Sequence, residues 1–369
     1  MLSPPNSRAR AMLCVAALAL SLGACDPFNA NFADSESAES YTAAQIKAPA
    51  DASPDTLDVM NWNAKYGAGR IDFFFDCHGD RVLMNSGEVE GNLDALAAKI
   101  KLVDPDVLLV QEIDTNSKRS AYIDQVQYLL DTTDLNYAVY ASQWRADYVP
   151  SDGVGPVDSG NAILSKYPLV DAERVALPPI GEQDGLTQYF YLKRNMLQAR
   201  VDIEGRDDVV VVNVHTAAYS SDGTKKVQID LFKEKLDELA AAGKTVLGGG
   251  DLNALPPGSD QLVGFDDFVC EADGDFDADD YTPEVDWLDA LYAAYTPAVP
   301  LADYQADNSA YFTHTTSKDL FWNRKLDYLF TNSSFVAGST VTHQDTSKGG
   351  VETMPLSDHA PLSATWELQ

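Results

Sequence analysis

The pattern of apolar and polar positions predicts a chain in which short strands alternate with helices. Some segments alternate between apolar and polar residues, as strands with one buried face do. Other segments are continuous apolar runs, which are typical of strands covered on both faces. The predicted strands cover 57–62, 107–110, 137–140, 161–164, 196–203, 209–214, 245–247 and 325–331, with a last strand inside 356–366.

Apolar residues three and four positions apart predict three helices, over 91–102, 124–130 and 226–242. Asp104 and Pro105 are expected to end the first of them. The apolar side of the third helix is predicted to hold Val227, Leu231, Leu236 and Leu239. Helices that alternate with strands indicate an α/β protein.

The segment KTVLGGGDLNA, residues 244–254, stands out because an apolar strand stops at three glycines. These glycines are predicted to let the backbone turn tightly or approach a ligand closely. Asp251 and Asn253 then lie at the strand's end and face the same way, so that one takes a proton while the other holds an oxygen. A capped turn, in which Asp251 accepts hydrogen bonds from backbone amides, explains the same residues.

Length and composition describe a chain that can bury a large core, with 369 residues of which 45% are hydrophobic. One large domain or two small ones are expected. The formal charge of −31 argues against tight, sequence-independent binding of nucleic acid. It leaves room for a metal-dependent enzyme that acts on phosphate esters, because a metal ion reverses the local charge.

The first 25 residues have the features of an export signal. Arg8 and Arg10 precede an apolar run, and Leu22-Gly23-Ala24-Cys25 resembles the lipobox of bacterial lipoproteins. We therefore expect a lipid anchor on Cys25, and an ordinary secretory signal is the alternative. Both predict a location outside the cytoplasm. Residues 26–55, rich in Ala, Ser, Asp and Asn, are predicted to form a flexible tether to a globular domain over 56–369.

Two further features leave alternatives open. Once Cys14 and Cys25 are set aside, Cys77 and Cys270 remain, and they form either a disulfide or two unpaired thiols. Residues 266–289 form an acidic insertion in which aspartates alternate. A calcium loop and a solvated acidic surface both fit this insertion, and the second is favoured.

Polar residues capable of metal or phosphate chemistry follow one predicted strand after another. Each alone has an ordinary explanation, as a cap, a turn or a satisfied core residue. Their recurrence at the ends of apolar strands is hard to attribute to coincidence and indicates a functional set. The residues are Asn63, Glu112, His215, Asp251, Asn253, Asp327, Asp358 and His359.

The ordered motifs that carry these residues resemble those of the endonuclease/exonuclease/phosphatase superfamily. They are Asn61-Trp62-Asn63, Val110-Gln111-Glu112, Gly160-Asn161-Ala162-Ile163-Leu164-Ser165, Asn213-Val214-His215, Gly249-Gly250-Asp251-Leu252-Asn253-Ala254, Leu326-Asp327-Tyr328 and Ser357-Asp358-His359-Ala360-Pro361-Leu362. The resemblance covers 56–369. It implies a four-layer α/β sandwich, in which two mixed sheets pack face to face between helices.

The resemblance also implies a role for each site residue. Glu112 would be the main ligand of a Mg²⁺ or Mn²⁺ ion, with Asn63 beside it and Asp358 close to the ion. Asp251 would orient and deprotonate the attacking water. The other implied roles are phosphoryl contacts from Asn253, His215 and His359, orientation of His359 by Asp327, and support of the site by Asn161.

The expected function is that of an extracytoplasmic, metal-dependent phosphoesterase that acts as a monomer. Small or lipid phosphoesters are favoured as substrates, because so acidic a chain has no long-range attraction for a polyanion. Neither a basic DNA-reading patch nor a membrane-inserting hairpin is recognisable in the sequence. A non-specific extracellular nuclease is the alternative, with nucleic acid as substrate only. A surface binding lipoprotein on a catalytically inactive scaffold is the alternative from another class.

Overall fold

A computed structural model describes residues 31–47, 50–74, 76, 79–149, 151–181, 183, 185–218, 222–265, 280–346 and 350–368. The predicted export signal, both Cys77 and Cys270, and positions 266–279 of the acidic insertion lie outside these residues. The anchor, the cysteine pairing and the nature of that insertion therefore stay predictions. Its remaining positions contain a short 3₁₀ helix, Thr282–Glu284.

Fifteen strands of the described residues form two mixed sheets. The first sheet has the order β13-β15-β3-β4-β6-β5-β2, with β14 beside β15. Its strands are β2 (Glu39–Thr42), β3 (Thr56–Asn63), β4 (Val107–Asp114), β5 (Tyr137–Val149), β6 (Gly155–Ser165), β13 (Ser334–Phe335), β14 (Val341–Thr342) and β15 (Leu362–Glu367). The second sheet has the order β1-β7-β8-β9-β10-β12-β11. Its strands are β1 (Ser35–Ser37), β7 (Leu169–Ala176), β8 (Asn195–Val201), β9 (Val209–His215), β10 (Thr245–Asp251), β11 (Thr296–Pro297) and β12 (Asp327–Thr331).

The described residues contain six α-helices. They are α1 (Ser86–Val103), α2 (Gln125–Thr132), α3 (Gly185–Phe190), α4 (Thr224–Ala241), α5 (Asp289–Ala294) and α6 (Leu301–Ala306). The three predicted helices are α1, α2 and α4. The prediction for Val227 is wrong, because its side chain is 49% exposed, whereas Leu236 is completely buried. Within the described residues, no helix has the length and apolar character that crossing a membrane requires.

Alternate residues of the central strands pack into different layers of the core. In β4, Val107 and Leu109 face the layer between the two sheets, whereas Leu108 and Val110 pack with α1 and α2. In β9, Val211 faces the same middle layer. Because both faces of these strands are covered, their sequences are continuously apolar. The predicted four-layer α/β sandwich is confirmed.

The glycines of β10 were predicted to allow a tight turn or a close approach to a ligand, and the structure shows no turn at them. The strand continues through Gly248, Gly249 and Gly250 to Asp251. A Cβ on Gly249 would lie 2.5 Å from the carbonyl oxygen of Tyr328, and one on Gly250 would lie 1.8 Å from that of Val214. The glycines therefore let neighbouring strands pack closely around the strand that ends in Asp251.

The N-terminal segment corrects the prediction of a flexible tether over 26–55. Strand β1 pairs with β7 at the edge of the second sheet, and β2 pairs with β5 at the edge of the first. Ala43 is buried, and its amide donates to the carbonyl oxygen of Asn136. Short polar strands such as these are stabilised by the sheet edges that they cover, so that their own sequences carry little signal.

Candidate active site

Three predicted site residues lie side by side on adjacent strands of the second sheet. Asp251 at the end of β10 is the register partner of His215 on β9 and of Asp327 on β12. All three are buried. The sheet register therefore brings together residues that are 36 and 76 positions apart in the sequence.

The carboxylate of Asp251 is the point where the site residues converge. Its Oδ2 lies 3.1 Å from Nδ2 of Asn63, 3.4 Å from Nε2 of His215 and 3.5 Å from Nε2 of His359. Its Oδ1 accepts a hydrogen bond from the backbone amide of Asn253. Burial outweighs the charge of His359 and raises the pKa of Asp251 to about 7. This carboxylate can therefore take up a proton near neutral pH.

His359 is held as a cation between two partners. Its Nδ1 donates to Oδ2 of Asp327 over 2.7 Å, and its Nε2 lies 3.1 Å from Nδ1 of His314. Burial lowers the pKa of His359, but the carboxylates of Asp327 and Asp251 outweigh it and raise the pKa to about 10. The arrangement places a fixed positive charge beside Asp251.

His314 is a site residue that the sequence analysis missed. It lines the same cleft as His359, and burial and the charge of His359 lower its pKa well below the usual value. The neutral ring can therefore accept the Nε2 proton of His359. His314 itself forms isolated bridges to Arg324 and His359 rather than ending a strand, so no apolar run marked its position.

Glu112 reaches the site through a bulge in β4. Gln111 and Glu112 together face the single residue Asn161 of β6, because the register shifts between Val110 and Ile113. Glu112 has a φ of 51°, which is strained for a residue with a side chain. The prediction that its strand stops before Glu112 is wrong, because β4 continues to Asp114.

The oxygen atoms around Glu112 fit a hard divalent cation. Burial and the negative charge of Asp358 raise the pKa of Glu112, so the two carboxylates repel each other when no cation lies between them. Asp358 also lies within 4.8 Å of ring nitrogens of His314 and His359. Asn63 donates from Nδ2 to Oε1 of Glu112, and its own oxygen accepts from the amide of Lys65. Asn63 thus holds Glu112 and Asp251 together.

A buried amide network supports the site from below. Nε2 of Gln111 donates to the side-chain oxygens of Asn61 and Asn213, and Nδ2 of Asn61 donates to Asp327. Nδ2 of Asn213 in turn donates to the carbonyl oxygens of Val110 and Ala162 in the other sheet. The network joins the two sheets beneath the site. Its residues belong to the motifs, but their structural role was not predicted.

The loop that carries Asp358 and His359 is fastened to the end of β3. Nε1 of Trp62 donates to the carbonyl oxygen of His359, and Oγ of Ser357 donates to that of Asn63. The amide of His359 donates to Oγ of Ser357. These bonds fix a site residue near the C-terminus against the first long strand.

The two remaining predicted residues occupy different places. Asn253 lines the cleft, with a φ of 48°, and its Nδ2 donates to the carbonyl oxygen of Thr216. Asn161 is completely buried, and its Nδ2 lies 3.3 Å from the carbonyl oxygen of Asn195. Asn161 therefore contacts the bulge and the start of β8 rather than the cleft surface.

Arg194 is a second site residue that the sequence analysis did not predict. It is buried, lines the cleft and has negatively charged Glu112 and Asp251 nearby. Nη1 donates to Gln143, whereas Nε has no hydrogen-bond partner among the described residues. A buried guanidinium with a spare donor suits an anionic ligand.

Comparison with known proteins identifies the class. A family model for the endonuclease/exonuclease/phosphatase family matches residues 60–359. The chain therefore belongs to this family, whose members are generally hydrolases of phosphoesters that use divalent metal ions. The resemblance seen in the sequence is confirmed. A sequence comparison with curated proteins returns no match.

Solved structures share the fold at low sequence identity. An endonuclease/exonuclease/phosphatase from Beutenbergia cavernae is 17% identical with a TM-score of 0.52, covering 85% of this chain and 72% of that one. A family member from Bacteroides vulgatus is 14% identical with a TM-score of 0.52, covering 85% and 99%. A functionally unknown conserved protein from Enterococcus faecalis is 17% identical with a TM-score of 0.51, covering 83% and 98%.

Proposed function

We propose that this chain is a divalent-metal-dependent phosphoesterase that hydrolyses P–O bonds of small or lipid phosphoesters by direct attack of water. The observation that carries the proposal is the convergence of Asn63, His215 and His359 on Oδ2 of Asp251. Glu112, Asp358, Asn253 and Arg194 line the same cleft. A proton acceptor, hydrogen-bond donors and hard oxygen ligands thus meet in one place.

Glu112 and Asp358 would hold the Mg²⁺ or Mn²⁺ ion, because both carboxylates line the cleft, and burial together with the charge of Asp358 raises the pKa of Glu112. When bound, such an ion neutralises negative charge on a phosphoryl oxygen. Asn63 keeps Glu112 in place and links it to Asp251. The family resemblance implies that Asn63 lies beside the metal ion. Its hydrogen bonds in this chain support a role in holding the carboxylates of Glu112 and Asp251.

Asp251 is the residue that accepts the proton of the attacking water. Its pKa of about 7 matches a base that works near neutral pH. His359, which is charged at that pH, places positive charge beside the reacting group, and Asn253 donates a hydrogen bond to a phosphoryl oxygen as negative charge develops. His215 stays neutral, because burial lowers its pKa well below the usual value, and it donates from Nε2.

Small or lipid phosphoesters are favoured over nucleic acid by charge. The chain carries 57 acidic and 26 basic residues, so long-range attraction for a polyanion is absent. A small ester needs only the contacts that the cleft supplies. We further propose that the chain is a monomer. The resemblance of residues 22–25 to a lipobox supports the proposal of an anchor outside the cytoplasm through a lipid on Cys25, which would bring the site near membrane lipids.

One panel of assays tests the proposal. The substrates are plasmid DNA, RNA, sphingomyelin, phosphatidylinositol phosphates and bis-p-nitrophenyl phosphate, each with Mg²⁺, Mn²⁺, Ca²⁺ or EDTA. We expect turnover of small or lipid esters that EDTA abolishes. Rapid degradation of DNA with the other substrates untouched would make the chain a nuclease. No turnover of any substrate would favour a binding lipoprotein.

A further inference from the structure

The hairpin of β5 and β6 continues beyond the sheet and lines one side of the cleft that contains the candidate active site. Strand β4 ends its pairing at Asp114, opposite Ser159 of β6. The two hairpin strands go on pairing with each other as far as Val149 and Gly155. Two shifts in register bend this extension. The extension is therefore an addition to the sandwich core, placed where β4 delivers Glu112.

The extension carries its own apolar cluster, separate from the cores of the sandwich. The cluster consists of buried Ala146, Val149, Val154 and Val157, against which Phe74, Trp144 and Phe190 pack. Nε1 of Trp144 donates to the carbonyl oxygen of Phe190 over 2.7 Å, which joins the hairpin to α3. The aromatic side chains are only partly buried, so part of their apolar surface meets the cleft.

The apolar wall and the candidate active site line one cleft of about 650 Å³. The apolar wall of this cleft consists of Phe74, Trp144, Val149, Val154 and Phe190. The same cleft is lined by Glu112, Asp251 and His359. This volume lies within the range of about 300–1,000 Å³ for small-molecule sites, which combine apolar walls with a few polar groups. A ligand whose phosphoryl group contacts Asp251 therefore has an apolar surface available to its remaining part.

The wall does not supply positive charge to a polyanion. Arg119, which lies 5.4 Å from the ring of Trp144, is held by two hydrogen bonds of 2.9 Å to Asp114 and stacks on Tyr66. Its charge is thus balanced within the protein. An apolar wall whose neighbouring arginine is already neutralised suits an apolar partner rather than a chain of phosphates.

We propose that this wall, defined by Phe74, Trp144, Val149, Val154 and Phe190, binds an apolar ester group of the substrate, of phenyl size or larger. The inference rests on the proposed function, because it places the phosphoryl group of the same substrate at Asp251. It narrows the substrate class to phosphoesters of apolar alcohols. An aromatic ring and an alkyl chain share the chemistry that the wall recognises.

Binding of phosphonates by calorimetry tests the inference without catalysis. Phenylphosphonate, hexylphosphonate and methylphosphonate are titrated into the full chain with Mg²⁺, and the same preparation is assayed with bis-p-nitrophenyl phosphate. We expect phenyl- or hexylphosphonate to bind at least about tenfold more tightly than methylphosphonate. A higher affinity for phenylphosphonate than for hexylphosphonate indicates an aromatic ester group in the substrate. A higher affinity for hexylphosphonate indicates a lipid chain. Equal affinities for all three would overturn the inference.

The variant Trp144→Ala should remove most of this discrimination, whereas Trp144→Phe should keep it. Tyr148→Ala is the matched control, because Tyr148 lies on the same strand, is 51% exposed and is absent from the cleft lining. If Trp144→Ala does not fold, the affinities of the three phosphonates for the unaltered chain still test the inference.

A difference in phosphonate affinity without turnover of bis-p-nitrophenyl phosphate would overturn the proposed function and leave the inference standing. Turnover with equal phosphonate affinities would overturn the inference and leave the proposed function standing.

Discussion

Asp327 and His359 form a buried pair in which Nδ1 of the imidazole donates to the carboxylate over 2.7 Å. Burial lowers the pKa of His359, but Asp327 and Asp251 raise it to about 10, whereas an unfolded histidine titrates near 6.5. The pair's contribution to stability is therefore fully present below about pH 6.5 and is lost as the pH rises through 10. The pair joins the start of β12 to the segment that precedes β15.

We expect Asp327→Asn to destabilise the metal-free protein by about 3 kcal/mol at pH 6 and by clearly less at pH 10, because the charged pair is broken only where His359 is protonated. Urea unfolding of the variant and the unaltered protein at both pH values measures the difference. Thr365→Ala, a change near the end of the last strand, serves as a control for general loss of stability. An equal loss at both pH values would show that Asp327 acts through its other contacts alone.

Glu112→Gln should lower metal-dependent turnover at least about a hundredfold, because a bound cation stabilises transition-state charge by several kcal/mol. Burial and Asp358 raise the pKa of Glu112, so the metal-free variant should melt at the same temperature or slightly higher. The rise in melting temperature with added Mg²⁺ should disappear. Full turnover at saturating Mg²⁺ would remove Glu112 from the metal site.

His314→Ala should lower turnover about tenfold while leaving the fold intact, because His359 loses the acceptor of its Nε2 proton. The pH profile of kcat distinguishes positioning from packing, since it should change shape in the variant. His314→Asn, which retains an acceptor of similar size, should recover part of the rate. An unchanged profile in His314→Ala would leave His314 with a packing role only.

Removal of residues 1–42 should destabilise the protein clearly more than removal of residues 1–33, which leaves β1 and β2 in place. The longer deletion takes β1 and β2 from the edges of both sheets, and each lost backbone hydrogen bond costs about 1 kcal/mol. Melting curves of the two truncated proteins give the comparison. Identical curves would support the tether that the sequence analysis predicted over 26–55.

Much of the fold could be predicted because buried strands have a strong signal. The continuous apolar runs that begin at Val107 and Val209 identified strands covered on both faces, and polar residues such as Asp251 marked their ends. His314 was not predicted from the sequence, because its position is fixed by tertiary contacts with His359 rather than by a periodic segment. The bulge at Glu112 and the short strand β1 also depend on neighbouring strands, which no local pattern encodes.

Strands β1 and β2 also set how far the domain can stand from a bilayer. If Cys25 carries the lipid, nine residues separate it from Ser35, the first residue of β1. A chain of that length reaches at most about 35 Å when fully extended, against roughly 100 Å for the thirty residues of the predicted tether. The edge of the second sheet that β1 covers would then be held close to the membrane surface, where esters presented by lipids are concentrated.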